Sequence, residues 1–265
     1  MLTATRFIVS GLLLAADARA DPPPAPSVPA NLPEPRTPEW GAELARSPGM
    51  DGAPLGVGHL RSVGGSPLAG HSWLEAALLP LYRGAGGPHW GWLAHGWLLS
   101  NDGQKRPFPA SCLVETSYES SSMIVSEWHE DGWFRVALDK PCVEEEGPLW
   151  SHRSLLELGG QQLTAQLWRD FFFQDDISPL SFRQAEIPHA LRAGPAADAE
   201  RITWIGAAHS MEPLEVAGDW IRVRVTQPSD YCIGPEDWKG VRHEGWVRWR
   251  DDEKGPWVFI WSRGC

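Results

Sequence analysis

The sequence predicts an all-β protein, two small domains in tandem behind a disordered, proline-rich segment. Three observations carry this. From about Pro67 onward, short apolar runs alternate with turn residues. Sixteen Trp, none before Trp40, supply the bulk that small domains need to build a core. No long stretch keeps a helical period: Ser72–Leu81 allows a short helix, and Pro80 argues against a long one. The expected division is a leader over 1–20, a Pro/Gly/Ala-rich linker over 21–66, and domains over 67–173 and 174–265.

The first twenty residues read as a secretory signal. Arg6 and the amino terminus give a positive start, Phe7–Ala16 is an apolar run, and Ala18-Arg19-Ala20 supplies the small-x-small pattern before Asp21. The run is far shorter than the roughly 20 residues needed to span a bilayer. A buried N-terminal helix is the alternative, and the Pro-rich tract that follows argues against it. Cleavage after Ala20 is expected, with a secreted or periplasmic product and no membrane insertion. Asp21-Pro22-Pro23-Pro24-Ala25-Pro26 has almost no backbone donors and cannot form a helix. It reads as the start of an extended tether, partly polyproline II. A proline-rich ligand for another protein's aromatic groove is the sharper alternative.

Two hairpins anchor the β reading. Met123-Ile124-Val125 leads to Trp128, a polar turn over 129–132, then the strand Trp133-Phe134-Arg135-Val136-Ala137-Leu138. Leu214-Glu215-Val216 leads through Ala217-Gly218-Asp219 to Trp220-Ile221-Arg222-Val223-Arg224-Val225, which alternates cleanly. A third hairpin is expected at the end, with Gly245–Trp249 and Trp257–Trp261 flanking 251–255. Ser181–Arg192, interrupted by Pro188, reads as irregular. The regions look like repeats: Asp131-Gly132-Trp133-Phe134-Arg135-Val136 parallels Gly218-Asp219-Trp220-Ile221-Arg222-Val223, and each strand is followed by a Cys.

In the second repeat, five pieces stand in order: Leu191-Arg192-Ala193-Gly194-Pro195, Ile202–Ile205, Leu214-Glu215-Val216, Gly218-Asp219-Trp220-Ile221-Arg222-Val223 and Gly245-Trp246-Val247. This pattern resembles the bacterial SH3 domains. The first repeat carries less of it: Leu81-Tyr82-Arg83, Glu115–Glu119 and Asp131–Val136. A long insertion over Thr226–Glu244 and the terminal Trp-rich segment depart from the family pattern. The resemblance implies two small SH3-like barrels, with Trp220 and Trp246 partly in a core. It also implies a non-catalytic role, binding a peptidoglycan peptide or an envelope protein.

Four Cys, an even number in an oxidising compartment, point to two disulfides. Spacing favours Cys112–Cys142 and Cys232–Cys265, with four buried thiols as the alternative. Without the leader the chain holds 21 basic against 33 acidic residues, a net of about −12. Such a field repels nucleic acid and anionic lipid and suits a cationic or neutral partner.

Catalytic patterns are sparse. Cys142 with His152, and Cys232 with His243, are the nucleophile–base candidates, but no span is left for a papain-like domain. Asp175-Asp176, Asp251-Asp252 and Glu144–Glu146 fall in predicted loops, where solvated charge is the ordinary explanation. No glycine-rich phosphate loop or Gly-x-Ser-x-Gly occurs, and no cofactor is expected. His89 and His95 have no evident third ligand for a metal. An enzyme of unrecognised type, or an accessory subunit of a peptidoglycan hydrolase, is the alternative to a binding protein. The most unusual segment is Gly87–Trp97. Its Gly content suggests a loop, and Tyr82, Trp90, Trp92 and Trp97 are the expected exposed docking surface. The alternative places these Trp in the first core or in contact with the second repeat.

Overall fold

The computed structural model describes residues 22–36, 54–63, 73–109, 112–117, 120–136, 147–174, 179–183, 187–206, 209–226, 243–251 and 255–260. Regular structure there is nearly all strand, with one four-residue helix, α1 (Trp168–Phe171), among the described residues.

The first sheet has ten strands: β1 (Gly58–Ser62), β2 (Leu78–Tyr82), β3 (His89–Ala94), β4 (Trp97–Ser100), β5 (Lys105–Pro107), β6 (Leu113–Ser117), β7 (Ser120–Trp128), β8 (Trp133–Val136), β9 (Leu149–His152) and β10 (Leu163–Leu167). Their order is β10-β1-β7-β8-β9-β2-β3-β4-β5, with β6 also on β7. The second sheet runs β13-β12-β16-β15-β14-β11-β19. Its strands are β11 (Leu180–Phe182), β12 (His189–Arg192), β13 (Arg201–Ile205), β14 (Ser210–Ala217), β15 (Trp220–Thr226), β16 (His243–Arg248) and β19 (Val258–Ile260). A two-stranded ribbon, β17 (Arg250–Asp251) and β18 (Gly255–Pro256), lies between β16 and β19 in the chain.

The protein is all-β, as expected, but neither sheet closes into a barrel among the described residues. The two halves also share apolar packing. On β7, Met123 and Val125 enter the first core with Leu60 and Leu113, while Ile124, on the opposite face, joins Val114 and Leu55 in the second core. A strand buried on both faces needs an unbroken apolar run, and Met123-Ile124-Val125 is one. The second core also takes Trp168, Phe171 and Phe172 from α1 and the residue after it. Gly255 approaches the Gly56 backbone so closely that a side chain at 255 would strike its carbonyl.

Both internal hairpins form as expected, β7–β8 and β14–β15. The terminal one forms only as the small β17–β18 ribbon, because β19 turns away to pair with β11. Ser181–Arg192, expected to be irregular, contributes to β11 and forms β12. Ser72–Leu81 gives a single 3-10 turn at Trp73–Glu75 before β2. The stretch read as linker is corrected twice. It contains β1, a central strand between β10 and β7, and residues 22–36 lie against the protein surface.

Trp220 is a further correction. Ile221, Val223 and Val225 are the core face of β15, and Trp220 sits half-buried on the other face with Arg222 and Arg224. Trp246 is buried, as expected, but pairs with Arg222 and Arg192 on that same outer face.

Candidate functional site

The Gly87–Trp97 segment is two strands and a tight turn, not a loop. His95 (φ 52°) and Gly96 (φ 79°) both have left-handed backbone. This is the requirement of a two-residue type I′ turn. It sets Ala94 against Trp97 and Trp92 against Leu99.

Trp90 and Trp92, two residues apart, should share a face of β3. A bulge prevents it. Tyr82 pairs with His89 and Leu81 with Gly91, so Trp90 is the extra residue. Gly91 is required there, since a Cβ would collide with the Leu99 carbonyl. Trp90 consequently packs in the first core with Leu79, Leu81, Leu93 and Leu98. Trp92 points outward, into a small cluster with Leu78, Ala94, Leu99 and Leu32.

Register then defines the outer face of β2–β5. Across the sheet lie Leu78 and Pro80, Trp92 and Ala94, Trp97 and Leu99, and Lys105 and Pro107. Bare, this would be an apolar surface with one cation. Residues 26–36 run over part of it as a strap, against Trp92, Trp97 and Leu99, while Lys105 and Pro107 stay exposed.

The strap's exposure has a period of three. Pro23, Pro26, Pro29 and Leu32 are half-buried, and the two residues between each successive pair are exposed. Three residues per turn is the period of polyproline II, which has no internal hydrogen bonds and leaves its carbonyls free. The sheet supplies donors for two of them. Trp97 Nε1–H donates to the Glu34 carbonyl (3.0 Å). His95 Nδ1 lies 2.9 Å from the Pro33 carbonyl. A carbonyl only accepts, so His95 carries its proton on Nδ1. The Arg36 amide donates to the His95 carbonyl (3.0 Å), and its guanidinium reaches the Phe108 carbonyl (3.4 Å) and lies 5.8 Å from the Trp97 ring centre. A Cβ on Gly96 would come within 2.7 Å of the Arg36 carbonyl, so this glycine serves both the turn and the strap. Lys105 Nζ sits 4.1 Å from the Trp97 ring centre, a cation–π contact.

Toward the strap's N-terminal half the fit is open. A cleft of about 640 Å³ lies between the strap, from Pro26 to Pro33, and His89, Trp92, Leu99, Asn101 and Lys105. Asn101 Nδ2 donates to the His89 carbonyl (2.7 Å), and the His89 ring meets Trp92 edge-on at 5.5 Å. Burial holds His89 below the ordinary histidine range, with the Gly91 backbone offsetting it in part.

The expected docking residues therefore separate. Tyr82, Trp90 and Trp92 are 5%, 7% and 3% exposed, so they do not form an exposed aromatic surface. Tyr82 packs with Trp133, Trp150 and Leu155 in a cluster of its own. Trp92 and Trp97 do share a face, under the strap. Sequence reasoning marks Pro22–Pro26 as extended and offers a proline-rich ligand only for another protein's groove; it does not single out Leu32–Arg36, Leu99 or Lys105. Among the described residues the strongly exposed Trp is Trp204, 52% exposed on the edge strand β13 with the Arg201 guanidinium 4.7 Å from its ring.

Cys112 is fully buried in the first core. Cys142, Cys232 and Cys265 lie outside the described residues, and with them both expected pairings. His152 is committed locally, to the Asp131 carbonyl (2.9 Å) and the Ser154 hydroxyl (2.8 Å). The leader, Glu144–Glu146 and Asp175-Asp176 also lie outside the described residues. Comparison with family models, curated proteins and solved structures returns no match to this chain.

Proposed function

We propose that this chain is a secreted, non-catalytic binding protein of the cell envelope, and that it holds an extended peptide segment of a protein partner on the outer face of β2–β5. The observation that carries this is the strap itself. A fifteen-residue segment without helix or strand lies there with Pro23, Pro26, Pro29 and Leu32 half-buried and two of its carbonyls met by Trp97 and His95. Trp is well suited to such a surface, since it offers large contact area at small entropic cost and a single N–H for a carbonyl. The leader-like N-terminus, expected to be cleaved after Ala20, supports export. The five-piece resemblance of the second half to bacterial SH3 domains supports a binding role on the envelope side.

The test uses the mature chain and its Leu99→Lys variant, immobilised and presented with purified peptidoglycan and with separated envelope proteins. Retention of a purified protein partner that Leu99→Lys abolishes supports the reading. Retention of peptidoglycan alone, equal for both chains, or hydrolysis of it, contradicts the reading.

A further inference from the structure

We propose that the β2–β5 face is a receptor for proline-rich peptides, that residues 22–36 are its built-in ligand, and that a proline-rich segment of a partner exchanges with them. This rests on the peptide-binding reading above and names the ligand class and the regulation of that site.

Three features select the ligand. The first is spacing: Pro26, Pro29 and Leu32 repeat every third residue, so a proline-rich chain in or near polyproline II turns all three to the side that carries Trp92 and Leu99. The second is the carbonyl pair of Pro33 and Glu34, which face the fixed donors His95 and Trp97. A polyproline II segment arrives with free carbonyls and little conformational freedom to lose, so donors of this kind discriminate in its favour. The third is the cation at the end, Arg36, seated against Trp97 and the Phe108 carbonyl. The preferred ligand is thus Pro-x-x-Pro-x-x-Leu-Pro-x-x-Arg, the pattern of Pro26 to Arg36.

Exchange follows from how unevenly the strap is held. Among the described residues its hydrogen bonds to the sheet gather at Pro33–Arg36, whereas Pro26, Pro29 and Leu32 border the open cleft of about 640 Å³ and are held by apolar contact. An incoming peptide can gain contacts in that cleft before the anchored end lets go. The strap competes from within the same chain, at an effective concentration on the order of 1 mM. If the strap sequence as a free peptide has a Kd of about 10 μM, an incoming peptide is weakened about 100-fold while the strap is seated.

The experiment compares the wild-type mature chain with a full-length variant whose strap no longer matches, Pro26→Ser/Pro29→Ser/Leu32→Ser. The probe is a fluorescein-labelled synthetic peptide of residues 22–36, read by anisotropy. The variant is expected to bind the peptide at least tenfold more tightly than wild type. Adding Leu99→Lys is expected to abolish this binding. Equal or weaker binding by the folded variant overturns the proposal. If the triple variant does not fold, Leu32→Ser alone serves, with the same expected direction and the same refuting result. Absence of peptide binding while Leu99-dependent capture of an envelope protein persists overturns this inference alone; loss of both overturns the peptide-binding reading beneath it.

Discussion

Lowering the pH should loosen the junction between the two halves through a single histidine. His59 on β1 is fully buried, stacked on Trp168 at 4.5 Å and edge-on to Phe171 at 4.5 Å. Neither ring nitrogen makes a hydrogen bond of normal geometry. Burial, and then the nearby Arg61 charge, lower its pKa to about 3, with Gln166 offsetting them in part. In the unfolded chain the value returns to about 6.5. The unfolded state therefore binds the extra proton between about pH 3 and 6.5, and stability falls as pH drops through that window. The full contribution is intact above about pH 6.5. Each tenfold difference in proton affinity between the two states is worth about 1.4 kcal/mol, so roughly 2 kcal/mol is gone by about pH 5 and roughly 5 kcal/mol below about pH 3. Urea unfolding at about pH 7, 6, 5 and 4, for wild type and for His59→Phe, isolates the effect, because the carboxylates contribute equally to both. The variant should lose about 2 kcal/mol less than wild type between about pH 7 and 5. Parallel curves for the two proteins would refute the assignment of a buried, neutral His59.

Trp168→Ala should cost about 3–5 kcal/mol in urea unfolding, because it empties a fully buried site and strips the Leu55 carbonyl of its indole donor at 2.9 Å. An unchanged midpoint would mean that Trp168 is not buried in the second core. Trp220→Ala, by contrast, should cost about 1 kcal/mol or less, since only its half-buried outer-face contacts are lost; a loss of about 3 kcal/mol would return Trp220 to the core. Non-reducing peptide mapping should recover Cys112 linked to Cys142, and Cys232 to Cys265. A Cys112–Cys265 peptide would instead clamp the two halves covalently.

Strand-level features are legible where periodicity is local. The alternation of Trp220–Val225 and the Asp-Gly turn before Trp133 both become hairpins. The face of Trp220 is not legible, because alternation defines two faces without saying which is covered; here the aliphatic Ile221, Val223 and Val225 go inward. The outer face of β2–β5 is harder to read. It is assembled from four strands, and the bulge at Trp90 reverses the sense of Trp90 relative to Trp92, so spacing along one segment misassigns both. The tether shows the opposite case. The threefold period of Pro23, Pro26, Pro29 and Leu32 is written in the sequence, but its receptor exists only once β3 and β4 pair. The shared core is similarly hidden, because a doubly buried run such as Met123-Ile124-Val125 looks, in isolation, like any other strand.

The central claim is that the proline-rich segment is a seated ligand and not a free tether. The most direct measurement is the nuclear Overhauser contact between the Leu32 methyls and the Trp92 ring in the mature, unliganded chain. The account predicts that contact, together with ring-shifted Leu32 methyl resonances. Leu32 methyls at random-coil shifts, with no contact to Trp92, would contradict it.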